Sequence, residues 1–263
     1  MKDITHKQLT RLVVEYGTIP MHSKYLKDIM EFSIEPDQIN KQKIAENLFE
    51  SLSVPFKWLI DHTIKAKKMA IQSIQIAQKE KKGGSEAWVR HLGWAFHYIA
   101  DWATPHHSPK SKSNPLPAMA GLGALFGGIL GGLAEASKKD KKKFIDGIAK
   151  GSLIGAGVMG AAGAIDLAIN HSKFENECDR RWNDVKVDTL FSKFESKKIS
   201  MAHFPTQADQ MNYFKELMTS IRNFAEDIPS DWIFTCSNED FIEYMIRIAI
   251  VMDFAAQIIL RSE

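Results

Sequence analysis

The amino-acid sequence predicts an all-α fold. Apolar residues recur at the three- and four-residue intervals of amphipathic helices along most of the chain, and the alternation typical of strands is scarce. Turn and capping residues separate these runs, and Ser85 is placed to cap a helix after the Gly83–Gly84 break. A chain of 263 residues can form one large domain or two small ones, and we expect one helical domain over residues 1–263.

Seven helices are predicted from this periodicity. The chain opens with an amphipathic segment, and the Gly83–Gly84 pair separates the third predicted helix from the fourth. The predicted ranges are 9–16, 41–52, 56–80, 85–102, 174–194, 206–225 and 238–262.

The charge and cysteine content narrow the functional classes. The chain has 34 basic and 32 acidic side chains, for a net charge of +2. This balance argues against a nucleic-acid binder that relies on bulk attraction to phosphates, although local basic patches stay open. The two cysteines, Cys178 and Cys236, form neither a CxxC zinc pair nor a disulfide framework. Any metal is therefore expected to be held by histidine and carboxylate side chains.

The N-terminal segment MKDITHKQLTRLVVEYG bears on localisation. It lacks the apolar core of a secretory signal and is typical of an amphipathic helix. Localisation stays open: the chain is expected to be cytoplasmic or membrane-associated, to leave by a signal-independent route, or to have had its signal removed.

Residues 115–169 differ in composition from the rest of the chain. They are rich in glycine, alanine and aliphatic residues, and glycines recur every four residues, as at Gly123, Gly127 and Gly131. Such spacing lets two helices approach closely, which is frequent in membranes. The apolar run 118–134 is at the short limit for a membrane span, so a simple two-span hairpin is not expected.

Two interpretations of this insertion are equally supported. It forms either a hairpin that contacts lipid, or a glycine-packed helical hairpin that rests on its own protein. In the first case, the side chains expected to contact the membrane are Leu122, Leu125, Phe126, Ile129 and Leu130.

The stretch HYIADWATPHH contains the main candidate site. His97 and Asp101 are four residues apart in a predicted helix, so both can face one metal ion. Pro105 ends that helix, and the following turn returns His106 or His107 towards the same face. A second pair with this spacing occurs in NHSKFE, at His171 and Glu175. Imidazole and carboxylate are the ligands that zinc takes when thiolates are absent.

The two stretches, in this order, resemble the zinc-dependent phospholipase C family, which includes bacterial phosphatidylcholine-cleaving enzymes and clostridial α-toxin. The single-strand-specific P1/S1 nucleases are more distant relatives. THKQLT near the N-terminus is similar to the opening segment of the family, and IEPD is similar to its upstream acidic segment. The resemblance implies a helical domain of the phospholipase C/P1 nuclease type, with residues 115–169 inserted.

The resemblance also implies three metal ions, usually zinc. Asp101 would bridge two of them. The implied ligands of these two ions are Asp37, His62 and His97 for one, and His6 with the amine and carbonyl of Met1 for the other. The third ion would be held by His107, His171 and Glu175. The family begins with a tryptophan after signal removal, so Met1 is a departure from the pattern.

The expected activity is hydrolysis of a phospholipid phosphodiester to diacylglycerol and a phosphorylated headgroup. Asp37 is the candidate for orienting or deprotonating the attacking water, and Asp101 for fixing the distance between the metals. The expected partner is a phospholipid or membrane surface, and no protein partner is evident. Two alternatives remain: a single-strand nuclease with the same metals, and a helical metalloprotein that acts on membranes without catalysis.

Overall fold

The computed structural model describes residues 3–19, 21–39, 65–107, 172–229 and 231–261. These residues are mostly helical and contain no strand, which confirms the predicted all-α class. The predicted helix at 41–52, the first part of the one at 56–80 and the whole insertion at 115–169 lie outside the described residues.

The helices are labelled in chain order. They are α1 (Asp3–Tyr16), α2 (Leu26–Phe32), α3 (Ala66–Lys82), α4 (Trp88–Ala103), α5 (172–182), α6 (Val187–Lys197), α7 (Gln207–Asp227), α8 (Trp232–Thr235) and α9 (Asn238–Leu260). Residues 35–39 make a further helical turn, and short 3-10 turns lie at Ser23–Tyr25, Pro105–His107 and Met201–His203.

Two details of the predicted helices are wrong. The single helix expected at 174–194 is divided into α5 and α6. The chain tightens at the end of α5, where the N–H groups of Asn183 and Asp184 donate to carbonyls three residues earlier. Ser85 does not occupy the N-cap of α4, because Ala87 does; the Ser85 hydroxyl instead accepts from the Ala87 N–H at 3.1 Å in the preceding turn.

The starts of α7 and α9 follow ordinary capping chemistry. The Thr206 hydroxyl accepts from the N–H of Asp209 at 3.1 Å. Ser237 and Asp240 form a reciprocal capping box at the start of α9. These caps explain why the predicted starts of both helices agree with the structure within one residue.

The centre of the fold is formed by α4 and α9, which pack against each other. Helices α2, α3 and α7 also contact α4, and α1, α3, α6 and α7 contact α9. Apolar side chains cover nearly the whole circumference of α9, as expected for a helix enclosed by others. Within the residues described, no helix has both the length and the hydropathy that crossing a bilayer requires.

A buried polar network joins the end of α1 to α9. The Asp253 carboxylate accepts from the Thr18 N–H at 2.7 Å, from the Thr18 hydroxyl at 2.6 Å and from Gln257 Nε2 at 3.0 Å. Gly17 permits this approach, because a Cβ at that position would lie 2.7 Å from Asp253 Oδ1. Burial raises the pKa of Asp253, and the hydrogen bonds from Thr18 oppose that effect.

Hydrogen bonds with two other helices hold the C-terminal end of α4 in place. The buried Tyr244 hydroxyl of α9 donates to the carbonyl of Ala103 at 2.7 Å. Trp102 Nε1 donates to the carbonyl of Met218 in α7, also at 2.7 Å. Since Asp101 lies on this last turn of α4, the bonds also determine where its carboxylate sits.

We expect Tyr244→Phe to lower the free energy of unfolding by about 1–3 kcal/mol, because it leaves the buried Ala103 carbonyl without its donor. Tyr213→Phe is the matched control, since Tyr213 packs on Phe204 and its hydroxyl has no hydrogen-bond partner among the described residues. Urea unfolding measures both variants. Equal stability of the two would show that the Tyr244 bond does not support the end of α4.

Candidate metal centre

Three side chains from separate parts of the chain converge beside the end of α4. They are His6 of α1, Asp37 of the 35–39 turn and His97 of α4. Each offers one ligand atom, and these atoms lie within 4.8 Å of one another. His6 and His97 are buried and Asp37 is half-buried. The structure thus brings together one of the predicted ligands from each of three elements far apart in sequence.

Asp101 completes this group, and its two oxygens face different histidines. Asp101 Oδ2 lies 3.1 Å from His97 Nε2, and Asp101 Oδ1 lies 3.6 Å from His6 Nε2. His97 Nε2 is also 3.9 Å from Asp37 Oδ1. Two atoms that ligate one zinc ion tetrahedrally at its usual bond lengths are about 3.3 Å apart. The observed separations are therefore close to those that a bound cation requires.

The orientation of His97 is set by the backbone of the chain after α2. Its Nδ1 lies 2.9 Å from the Ser33 carbonyl, which can only accept, so Nδ1 carries the hydrogen and donates it. Nε2 is then left to face the Asp101 and Asp37 carboxylates, which is how second-shell contacts commonly direct histidine ligands. Burial opposes protonation of His97, but the neighbouring Asp101 and Asp37 charges outweigh it and raise its pKa. A cation or a proton is thus favoured at Nε2.

The surroundings of His6 favour its neutral form. Its ring is 1% exposed and stacks on His97, with the centroids 4.5 Å apart and 19° between the planes. Burial, followed by the charge of His97, lowers the pKa of His6. Its Nε2 is buried and has no hydrogen-bond partner within the described part of the chain. A buried polar atom without a hydrogen bond lowers the stability of the fold, and a bound metal ion would supply the missing partner.

His107 lies next to this group, as the spacing in HYIADWATPHH predicts. The 3-10 turn Pro105–His107 directs its ring back onto α4, where Nδ1 donates to the Asp101 carbonyl at 3.1 Å. The ring is buried, and Nδ1 is 4.0 Å from Asp101 Oδ1. In the neutral ring, the bond from Nδ1 to the Asp101 carbonyl places the lone pair on Nε2. His106 is the competing candidate, and its side chain lies outside the part of the structure that is described.

The third predicted group is described only in part. Glu175 is half-buried on α5, one helical turn before Asp179. Asp179 Oδ1 accepts from the N–H and hydroxyl of Thr5, at 3.0 and 2.6 Å, so α5 is tied to the residue that precedes His6. The other predicted site residues, Met1, His62 and His171, lie outside the described residues, as do Leu122, Leu125, Phe126, Ile129 and Leu130.

The position of Asp37 depends on a close approach of α2 to α4. A Cβ on Gly93 would lie 2.5 Å from the Phe32 Cβ and 3.0 Å from the Ile29 carbonyl oxygen, so only glycine fits there. Beyond this contact, the Glu35 carboxylate accepts from Arg90 Nε and Trp94 Nε1, both at 2.7 Å. These bonds hold the 35–39 turn against α4 and thereby keep Asp37 near His97.

Arg222 supports the opposite side of the site. This buried guanidinium of α7 donates to the carbonyl of Trp102 at 2.9 Å and to the carbonyl of His107. It lies over the Trp102 ring, 4.3 Å from its centroid, and pairs with Glu226 at 3.3 Å. Burial lowers the pKa of Arg222 to about 10. Arg222 fixes the backbone on both sides of the Thr104–Pro105 bend, and with it the His107 ring.

Sequence reasoning missed the residues that position this site. Arg222 and Asp179 carry no motif, because each acts on a partner at least 115 residues away in the chain. Glu35 lies within IEPD, but its partner Arg90 is 55 residues away, so its positioning role could not be inferred from that segment. Gly93 did carry a signal. An isolated glycine inside a helical pattern costs about 1 kcal/mol relative to alanine, which points to a packing reason.

Comparisons with family models, curated proteins and solved structures find no match to this chain. The site must therefore be judged by its chemistry. A buried pair of imidazoles, a buried carboxylate and a half-buried carboxylate form a donor set that suits zinc.

We expect Gly93→Ala to separate α2 from α4 and to displace Asp37. Overpacking at such a contact costs about 1–3 kcal/mol, despite the better helix propensity of alanine. Gly83→Ala is the control, since a Cβ there meets its nearest atoms at 3.5 Å. Urea unfolding and zinc competition with a chelator measure the effect. Unchanged zinc affinity in Gly93→Ala would contradict the role of this contact.

We expect Arg222→Met to lower the free energy of unfolding by about 1–3 kcal/mol, because it leaves the carbonyls of Trp102 and His107 without their donor. Arg247→Met is a matched control: Arg247 also pairs with a glutamate of its own helix at 3.2 Å and lies over Phe224, but it is exposed. Its loss should cost about 0–1 kcal/mol. The His107 ring N–H signal in NMR should broaden or shift in Arg222→Met alone. Similar costs and spectra for both variants would refute this role.

Proposed function

We propose that this protein is a zinc-dependent phosphodiester hydrolase of the phospholipase C type. The observation that carries the proposal is the convergence of His6, Asp37 and His97, whose ligand atoms lie within 4.8 Å of one another, beside the Asp101 carboxylate. A helical domain of the phospholipase C/P1 nuclease type is part of the same proposal. It rests on the sequence resemblance and on the all-helical surroundings of the site.

Asp101 is assigned as the bridging carboxylate. One of its oxygens would serve an ion shared with His97 and Asp37, and the other an ion shared with His6. His62 and Met1 are the remaining proposed ligands of these two ions. His107, His171 and Glu175 are proposed for a third. Bound zinc would polarise the phosphate and lower the pKa of a coordinated water, which is the chemistry this reaction needs.

Asp37 is assigned to the attacking water because of its exposure. Its side chain is 15% exposed, whereas the His97 side chain is 0% and the Asp101 side chain 3% exposed. Asp37 therefore stands on the open side of the group, where water and substrate arrive. There its carboxylate can orient a water molecule and accept a proton from it. The buried His6, His97 and Asp101 are suited to holding the site rigid.

A phospholipid is the proposed substrate. Support comes from the resemblance of HYIADWATPHH and NHSKFE to the phospholipase branch, and from an apolar insertion between His107 and His171, two proposed ligands of one ion. An insertion at that point would emerge near the site and could contact lipid. A nuclease would use the same metals, so the substrate must be tested directly.

The decisive experiment measures bound zinc per chain and then assays one sample on phosphatidylcholine vesicles and on single-stranded DNA. We expect three zinc ions and release of diacylglycerol, with no cleavage of the DNA. Cleavage of DNA alone would replace the proposal with the nuclease alternative. Bound zinc with neither activity would favour a metalloprotein without catalysis.

We expect Asp101→Asn to lose zinc and activity together, with zinc affinity lower by about 100-fold or more, since even outer-shell substitutions can cost that much. Asp253→Asn is the matched control, because Asp253 is equally buried, at 2%, but is bonded to Thr18 and Gln257 instead. It should lose stability and keep its zinc. Full zinc content in Asp101→Asn would refute the bridging role.

A further inference from the structure

We propose that a basic depression between α3 and α7 binds a phosphate group at a site separate from the candidate metal centre. The depression has a volume of about 480 Å³ and is open to solvent. It is lined by Lys67 of α3 and, on α7, by Lys215, Glu216, Thr219, Ser220 and Asn223.

The two lysines are close together and lack acidic partners. Lys67 Nζ donates to the Thr219 hydroxyl at 2.8 Å and to the Lys215 carbonyl at 3.1 Å. An ammonium group has three donors, so one N–H of Lys67 remains for a ligand. Neither ammonium forms an ion pair within the described ranges. Partial burial, followed by the charge of Lys215, lowers the pKa of Lys67.

The surroundings add positive charge and free donors. The first turn of α3 contains Lys67 and Lys68 and no acidic residue, although cations at that end oppose the helix dipole. Among the described lining residues, Glu216 supplies the one carboxylate. The Ser220 hydroxyl and the Asn223 amide are exposed and have no described hydrogen-bond partner. A bound anion would relieve the repulsion between the lysines and accept from these groups.

A phosphate group fits this arrangement better than a carboxylate does. Its oxygens point in several directions, which suits two ammonium groups together with a hydroxyl and an amide, whereas no guanidinium lines the depression among the described residues. The depression is connected through α7 to the candidate metal centre. Asn223 follows Arg222, whose guanidinium contacts the His107 carbonyl. The phosphate could belong to a soluble compound or to an anionic lipid headgroup.

The test is a titration of isotope-labelled protein with inorganic phosphate, followed through the backbone amide signals of Thr219 and Ser220. In the double variant Lys67→Met/Lys215→Gln, the dissociation constant should rise about tenfold or more, because two charged hydrogen bonds are lost. The control is Lys79→Gln/Lys82→Gln, which removes the same charge from exposed positions at the other end of α3. The control should bind like the wild type. Absence of saturable shifts, or equal weakening in the control, would overturn the proposal.

A second arm distinguishes the sources of the phosphate. Sedimentation compares phosphatidylcholine vesicles with vesicles that also contain phosphatidic acid. If the wild type binds the acidic vesicles more strongly and the double variant loses this preference, the site binds a lipid headgroup. If the protein binds inorganic phosphate but shows no preference for acidic vesicles, the site binds a soluble ligand. Lys215→Gln alone keeps the bond between Lys67 and Thr219, so it tests the site if the double variant fails to fold. Unweakened phosphate binding in Lys215→Gln would also count against the site.

Discussion

The structure around the candidate site depends on one electrostatic constraint, the burial of the Asp101 carboxylate against two stacked imidazoles. The two buried histidines present Nε2 atoms to its oxygens at 3.1 and 3.6 Å. Charge in such surroundings must be compensated, because an isolated buried carboxylate is far less stable than a hydrated one. A cation among these atoms meets that requirement, and so does a proton on His97.

A comparison with Asp253 shows what is particular about Asp101. Both carboxylates are 2% exposed. Asp253 is surrounded by donors from Thr18 and Gln257, which make it a structural tie between α1 and α9. Asp101 instead faces the Nε2 atoms of His97 and His6, and the opposite nitrogen of His97 already donates to the Ser33 carbonyl. Equal burial thus serves different purposes, and the difference lies in which atoms surround the carboxylate.

Preorganisation of the site comes from elements outside it. Glu35 with Arg90 and Trp94 holds the turn of Asp37, and Arg222 holds the turn of His107. Glu35 and Arg222 are charged side chains whose hydrogen bonds hold the chain close to a proposed ligand. Rigid support of this kind keeps ligands close to their bound geometry and reduces the ordering needed when a metal binds.

The all-α class, the ranges of α7 and α9 and the proximity of His97, Asp101 and His107 could be predicted from local sequence signals. These features are local: periodicity, caps, i, i+4 spacing and a proline bend act within a few residues, so they can be read along the chain. The division between α5 and α6 is visible only in the three-dimensional structure. That structure also shows that His6 stacks on His97, that Gly93 admits Phe32 and that Arg222 reaches the His107 carbonyl. These contacts join residues distant in sequence, and packing of whole helices, not local preference, selects their partners.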